Sequence, residues 1–436
     1  MPSIPRQLWA SRRERPVLVI VSVVTIVTLL GWLPVEHHLR EMGMGLPYTF
    51  NDFSAYTEAL NRWLEGTQMY VPQENGGYFG EYLYPPVTVL AFYPFETTGF
   101  HTGAVLFGFT AIVLLWLGLE AMARTLGYRL RIWERLGLLV MLFSFQPVIR
   151  NFRWAQTATL LTASLAFAFY FQERAESETS PYSNGAVSDR TRSLYRYASG
   201  ACTTLGSSFK LFYATSGAHL LRDRKRFAGA MAAAAGLAVA SLAIFGLETN
   251  LQYLDVLTWG KGWGEAKAMY AWDTAAAYRP LYAFGGLGLY LKIFGILTVI
   301  GLTLAARTSD SRAARHTTFA LGIAAVPLFA PKADSHDLVV LVVPAVILLA
   351  HELDRPDGYA WIPVLSVLLV HVHRYALEFL TKPEGNFPGA ALLYDFGPYL
   401  QPGMWGTFLL VGLAGYRVAE HATLPALGSV RDRLGQ

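Results

Sequence analysis

Residues Val17 to Leu33 form seventeen consecutive positions without a charge, and Arg12, Arg13 and Arg15 stand just before them. A cleavable leader has a shorter apolar core followed by small residues. Here Trp32-Leu33-Pro34-Val35-Glu36-His37 follows instead. The run is therefore expected to stay as a membrane helix with its start in the cytoplasm, where Lys and Arg are retained. The rest of the chain has the same character. Hydrophobic residues make up 53% and charged residues 15%, against roughly 25% charged in soluble domains. Mean hydropathy is +0.33. An ordinary soluble enzyme, a disordered chain and a collagen-like chain are excluded. The single cysteine, Cys202, excludes a disulfide framework within the chain and a Cys-rich metal site. A net charge of +4 is too small for a nucleic-acid binder.

Further apolar runs lie at Thr102–Ala123, Leu136–Ile149, Phe152–Phe171, Phe227–Leu247, Gly286–Ala306, Thr317–Ala330, Leu338–Leu353, Trp361–Val372 and Trp405–Tyr416. Several are shorter than the ~20 residues of a straight crossing. Short spans suit a bundle around a water-filled cavity, where broken backbone is tolerated. The basic clusters at Arg124–Arg135, Arg190–Arg196, Arg222–Arg226, Arg307–Arg315 and Arg431–Arg433 nearly all fall in the cytoplasm with about ten (roughly eight to twelve) crossings. The expectation is an all-α polytopic membrane protein, one transmembrane domain over 1–420 with a cytoplasmic tail at 421–436. Residues 34–84, 248–285 and 373–404 are expected outside, and 172–195 as a flexible cytoplasmic linker of low complexity. Arg196–Leu221, broken by Gly200, Gly206 and Lys210, reads as a re-entrant pair of half-helices. Pro85–Phe95 reads as a short helix in the outer leaflet. No internal repeat is visible.

The outer loops carry the chemistry. A helix from Asn51 towards Gly66 puts Ala55, Ala59 and Trp63 on one face, the pattern of a helix lying on the membrane surface. Asp52, near its start, is either a helix cap or a carboxylate placed to take a proton from a hydroxyl; the two roles are compatible. The aromatics Trp259, Trp263, Tyr270, Trp272 and Tyr278 suit an interfacial belt or a platform for a sugar or lipid. Pro331-Lys332-Ala333-Asp334-Ser335-His336-Asp337 joins two apolar runs, and charges at that depth are costly unless paired or hydrated. It is either such a site or a plain polar tip in which Asp334 or Ser335 caps the next helix. Arg150, Arg153 and Arg374 lie at outer ends, where they either snorkel to headgroups or meet a phosphate, whose geometry guanidinium groups match. Lys210, amid apolar neighbours, is a functional candidate by its position alone. Phosphate-loop, zincin and nucleophile-elbow motifs are missing from the sequence, so any donor is expected to be borne on lipid.

Four segments and a late loop carry a resemblance. Asn51-Asp52-Phe53-Ser54-Ala55-Tyr56, Tyr82-Leu83-Tyr84-Pro85-Pro86, Arg153-Trp154-Ala155-Gln156-Thr157, Ser208-Phe209-Lys210 with Arg222–Arg226, and Pro331–Val343 around His336 resemble, in order, the motifs of the multi-span GT-C glycosyltransferases. The likeness is greatest to glycosyltransferase family 87, the polyprenol-phosphate-mannose-dependent mannosyltransferases. Ala155 stands where the family has Gly, Leu211 where it has Pro after the Lys, and Ser335-His336-Asp337 where it has paired His. The resemblance implies a GT-C-like bundle in the plasma membrane with its active site facing outside. It implies an inverting transferase that moves a sugar, mannose, from a polyprenyl phosphate to a lipid-linked or surface glycan acceptor. Asp52 would be the base. Lys332, His336, Arg374, Arg153, Gln156, Lys210 and Tyr84 would bind donor phosphate or substrate. No cofactor, metal or nucleic acid is implied. The alternative is a glycolipid or polyprenyl-sugar flippase, which needs the same polar cavity but no base.

Overall fold

The computed structural model describes residues 8–42, 49–72, 77–78, 81–177, 187–258, 277–330, 333–381 and 396–422. Trp259, Trp263, Tyr270, Trp272 and Lys332 lie outside the described residues.

The described residues are all-α apart from one pair of two-residue strands. Helix α1 (Pro16–Leu30) meets α2 (Trp32–Glu41) at a 49° bend across Gly31. Helix α3 (Asn51–Leu64) follows, then a 3₁₀ turn at Pro86–Ala91 and the single turn α4 (Tyr93–Glu96). Two prolines at the entry of the 3₁₀ turn and Pro94 just beyond it keep this segment short. Helix α5 (Phe100–Thr125) is the first long straight one. Helix α6 (Ile132–Ser144) bends by 63° at Phe145 into α7 (Gln146–Trp154), because Pro147 cannot continue the α6 hydrogen-bond ladder. Helices α8 (Ala158–Ala175) and α9 (Asp189–Ser208) come next. A break at Phe209–Lys210 leads into a 3₁₀ segment, Leu211–Arg222. Helix α10 (Arg224–Thr258) is interrupted at Gly246, whose φ of +73° is open to glycine; Asn250 braces the break by donating to the Gly246 carbonyl at 2.7 Å. Strand β1 (Ala277–Tyr278), α11 (Leu287–Ala305), α12 (Arg312–Phe329), strand β2 (Ala333–Asp334), a 3₁₀ turn at Asp337–Leu341, α13 (Val342–Leu353), α14 (Trp361–Thr381) and α15 (Pro402–Ala419) complete the fold.

Among the described residues, helices α5, α10 and α11 are long and apolar enough to cross a membrane, and the bent pairs α1–α2 and α6–α7 make five if each is one span. Helices α8 and α12 sit inside the bundle, buried along nearly their whole length. The outward faces of α10 and α11 are apolar and exposed, with Leu242, Leu247, Tyr290 and Phe294 among the exposed residues. That is the arrangement expected where lipid is the solvent.

The bundle has two polar ends, separated by the length of α8, about 27 Å at about 1.5 Å per residue. At one end the basic clusters find acids: Arg312 and His316 reach Glu173, Arg196 and Arg226 reach Glu176, and Arg135 reaches Glu120. There Arg417 grips Glu352 with two bonds of 2.7 Å, both side chains fully buried. The other end gathers the start of α3, the turn after α7, the Lys210 break and the turn after β2.

Small residues set the helix spacing. Gly200 on α9 lies against the Arg226 carbonyl, and Gly229 on α10 lies against the Tyr197 carbonyl; a Cβ at either position would overlap those atoms. In a membrane, close backbone approach of this kind replaces the hydrophobic drive between helices. Gly200→Val is expected to cost about 1–3 kcal/mol by overpacking. A fall in the thermal midpoint of purified protein checks this, with Gly236→Ala, at an open position on α10, as the control that leaves it unchanged.

Candidate functional site

Asp52 does not cap α3. Phe50 holds the cap position in the left-handed region (φ +48°), and Asp52 is the second helical residue. The Phe50 amide donates to the Arg153 carbonyl at 2.9 Å, which fixes the start of α3 on the end of α7. The Asp52 carboxylate therefore stands in the first turn of α3, where a helix N-terminus favours negative charge.

Tyr56, one turn on, is stacked on Phe92 with ring centroids 4.2 Å apart. Its hydroxyl lies 3.4 Å from that of Tyr84 and 3.5 Å from Gln156 Oε1. Tyr70 donates to the Tyr84 carbonyl at 2.5 Å. Burial pushes the Tyr56 and Tyr84 phenols up, and Asp52 adds to both shifts; Lys210 pulls Tyr84 back part of the way. Both phenols are thus proton donors at neutral pH. Tyr84 lies within electrostatic reach of both Asp52 and Lys210.

The loop after β2 meets the Lys210 break. Lys210 Nζ donates to Asp337 Oδ1 at 2.6 Å and lies 3.4 Å from His336 Nε2. All three side chains are buried. The remaining Asp337 oxygen accepts the Asp334 amide at 3.0 Å. Neither Asp334 nor Ser335 caps the turn that follows: His336 holds that position and no side chain closes it. Asn151 on α7 donates to the His336 carbonyl at 2.8 Å. Trp154, at the end of α7, places its ring 5.9 Å from that of His336. The Arg150 guanidinium lies 4.4 Å from the Trp154 ring centroid. Arg150 is within electrostatic reach of Arg374, Asp334 and Asp52. Arg374 itself lies over Tyr375 at 5.0 Å.

Asp52, Tyr84, Gln156, Lys210, His336 and Arg374 thus share one end of the bundle. Arg153 lies at the same end but turns to Glu36 on α2 in a buried ion pair. Neighbouring histidines are joints of the fold: His371 Nδ1 accepts the Gln146 amide at 3.1 Å and His373 Nδ1 accepts the Gly403 amide at 3.2 Å. Strand β1 pairs antiparallel with β2, and Gln401 holds Arg279 through its backbone N–H and C=O, at 3.1 and 2.7 Å. This ties the end of the loop that follows α10 to the His336 loop. Among the described residues no three His, Cys, Asp or Glu side chains converge as metal ligands would.

Asp337, Asn151 and Tyr56 were not singled out from the sequence. The charge of Asp337 was the available signal, since a lysine amid apolar neighbours such as Lys210 needs a partner. Arg150 was visible only as one of several outer cations.

Helices with apolar exposed faces, and a carboxylate among cations and aromatics at one end, mark an integral membrane protein with a polar site. The chain matches the model of glycosyltransferase family 87 over residues 82–331, more than half of its length, and belongs to that family. It is a membrane glycosyltransferase. The matched region includes Tyr84, Gln156 and Lys210 and ends before His336 and Arg374. No curated protein and no solved structure matches the chain.

Removing one partner of a buried ion pair strands the other charge at a cost of about 3–5 kcal/mol. Glu36→Ala should therefore lower the thermal midpoint sharply, and Glu36→Ala with Arg153→Ala should recover part of the loss. Equal midpoints for wild type and Glu36→Ala would remove the pair from the account of this joint.

Proposed function

We propose that this glycosyltransferase moves a sugar, mannose, from a polyprenyl phosphate to a lipid-linked or surface glycan acceptor, with inversion at the anomeric carbon. The donor tail lies in the bilayer, and the polar end of the bundle faces outside in a plasma-membrane protein of about ten crossings. The N-terminus is cytoplasmic, and the Lys210 break belongs to a re-entrant segment.

In this mechanism the acceptor hydroxyl gives its proton to Asp52 as its oxygen attacks the anomeric carbon. The bond from that carbon to the phosphate oxygen breaks on the opposite face, and the phosphate leaves with the electron pair. Arg150 and Arg374, together with Lys332, stabilise the charge that grows on it, a preorganised electrostatic effect. Tyr84 and Gln156 orient the sugar and acceptor, and Lys210 holds the His336 loop against them. Arg153 acts on the phosphate through the placement of α7. The observation that supports this reading is that the start of α3, with Asp52 in its first turn, is fixed on the end of α7, which carries Arg150, by the Phe50 amide donating to the Arg153 carbonyl at 2.9 Å. Asp52 and Arg150 thus belong to elements that meet.

Asp52→Asn keeps the shape and removes the base. Transfer from radiolabelled polyprenyl phosphate mannose to a crude lipid or glycan acceptor should fall by at least about 10²-fold, the usual acid–base contribution. Near-normal turnover of purified Asp52→Asn, or translocation of the donor without transfer by wild type, would overturn the mechanism.

The phosphate contacts are tested separately. Hydrogen bonds to a charged group contribute about 1.5–3 kcal/mol, on the order of 10- to 100-fold in affinity. Arg150→Gln and Arg374→Gln should each weaken inhibition by polyprenyl phosphate by about that factor and leave inhibition by the neutral polyprenol unchanged. Equal losses for both inhibitors would assign these arginines to the fold alone.

A further inference from the structure

A cavity of about 420 Å³ lies beside the site and plays no part in the mechanism above. Its size is that of a ligand pocket, for which roughly 300–1,000 Å³ is common. Pro85, Pro86 and Leu211 line its mouth, next in sequence to Tyr84 and Lys210. From there it follows α10 from Ser241 to Ala234, about 10 Å at about 1.5 Å per residue. Ala214, Ala234 and Ala238 on its wall are exposed, so it opens sideways onto the apolar face of α10. Six Ser and Thr side chains line it, and all six spend their proton within the protein. Thr88 donates to the Pro85 carbonyl, Thr203 to Ser199, Thr204 to Ala230, Ser207 to Thr203, Ser208 to Leu205 and Ser241 to Asn250 Oδ1, at 2.7–3.0 Å. What faces the cavity is therefore mostly carbon. A sugar there would lose water without gaining matched partners. A hydrocarbon chain would lose nothing.

The cavity also has a side. The 3₁₀ turn at Pro86–Ala91, part of its wall, packs on α3, which carries Asp52. Its other walls are α9, the Leu211–Arg222 segment and α10, which pack on one another and on α8, α11 and α12. Arg374 belongs to α14, which packs on α1, α7, α13 and α15. In an inverting displacement the attacking oxygen and the leaving phosphate lie on opposite faces of the anomeric carbon. With Asp52 on the attacking side and Arg374 on the leaving side, the cavity lies with the acceptor.

We propose that this cavity holds a hydrocarbon chain of the acceptor, which makes the acceptor a glycolipid and not a free surface glycan. The inference deepens the glycosyl-transfer reading and rests on it for which side receives the acceptor. The sugar to be extended sits at Asp52 and Tyr84, and its chain runs back past Pro85 and Leu211 towards Ala234. The donor's polyprenyl tail leaves on the Arg374 side. Ala214, Gly217, Ala234 and Ala238 leave room for the chain by being small, and a ring at Ala234 or Ala238 would take that room.

The test uses the full chain in lipid nanodiscs with radiolabelled polyprenyl phosphate mannose and two acceptor preparations, a membrane lipid extract and the delipidated glycan fraction. Wild type should place the label in the lipid extract. Ala234→Phe and Ala238→Phe should each raise the amount of extract needed for half-maximal transfer about tenfold or more, the effect of roughly two buried methylenes lost. The KM for the donor should stay that of wild type in both. Gly236→Phe puts a ring at an open position of the same helix and should behave as wild type. Label in the glycan fraction alone, no loss in either filled variant, or a rise in the donor KM in place of the acceptor requirement would each overturn the proposal. A second readout needs no transfer. Dodecyl mannoside with a photoreactive chain should label the Leu211–Arg222 segment and α10, and Ala234→Phe should remove that label. Polyprenyl phosphate with a photoreactive tail should label neither; the reverse pattern would give the cavity to the donor. Wild type that takes the mannoside label but transfers no sugar would sink the glycosyl-transfer reading and leave the chain site standing. Transfer without that label would sink the chain site alone.

Discussion

An ion buried within the bilayer's depth loses most of its hydration, and only a partner at hydrogen-bonding distance offsets that loss. This constraint orders the whole molecule. Every deeply buried charge with a described ion pair sits at one end of the bundle or the other. At one end Glu352 is satisfied by Arg417 and by the Tyr359 amide at 2.7 Å, and Glu173 by His316 at 2.8 Å. At the other, Lys210 is satisfied by Asp337, and Arg153 by Glu36. Between them α8 and α12 are packed with Ala, Leu, Thr and Phe, and the hydroxyls of Thr162, Thr317 and Thr318 bond back to their own helices, as Thr162 does to Ala158 at 2.7 Å. The apolar middle has no ion to place, so it is free to be dense.

The two ends differ in kind. At the first, acids and bases are matched within single layers by helix termini that can approach freely, and its pairs knit α8, α9, α12, α13 and α15 together. At the second, charges come from loops and breaks: a left-handed residue before α3, a proline bend before α7, the interruption at Lys210, the two-residue strand pair before His336. Each interruption exposes backbone groups that a regular helix would satisfy, and side chains take them up. Asn151 takes the His336 carbonyl, Tyr70 the Tyr84 carbonyl and Gln401 the backbone of Arg279. Irregular backbone at this depth is tolerable only when protein encloses it. The same enclosure holds the side chains rigid enough to act on a substrate.

How much of this was legible beforehand follows from which forces are local. The apolar runs, the helix at residues 51–64 and the short segment after Pro85 are local patterns, and they appear in the structure close to where the sequence places them. The break near Lys210 was equally legible, because Gly and Lys interrupt an apolar segment there. Family likeness pointed to Asp52, Tyr84, Gln156, Lys210 and His336, and the fold gathers them at one end. Pair choices were not legible. Lys210 and Asp337 are 127 positions apart, and nothing local says that this lysine meets that acid. Arg153 was expected beside a phosphate, yet Glu36 holds it; the nearby Arg150, on the same short helix, turns instead towards Trp154. Ala155 shows the reverse lesson. It replaces a family glycine yet keeps the left-handed backbone that glycine favours, at φ +53°, because the Phe50–Arg153 contact and the buried Asn151 hold the turn from both sides.

The charge balance at the His336 end bears on how a transferase with a carboxylate base could work at low dielectric. Lys210 and Asp337 cancel each other, and Arg150 lies within electrostatic reach of Arg374, Asp52 and Asp334. Among these described side chains the two arginines are matched by two acids. When Asp52 takes a proton from an acceptor, the set gains one positive charge. In the same step a departing phosphate would gain one negative charge. The two changes have opposite sign and arise on facing elements, so the field would strengthen where the leaving group needs it, at the moment of bond cleavage. A site with a large fixed excess of cations would instead hold the product phosphate as tightly as the transition state, which lowers the barrier to binding and not the barrier to reaction. The neutral pairing of Lys210 with Asp337 would then matter as much as the arginines, because it removes one permanent cation from the field.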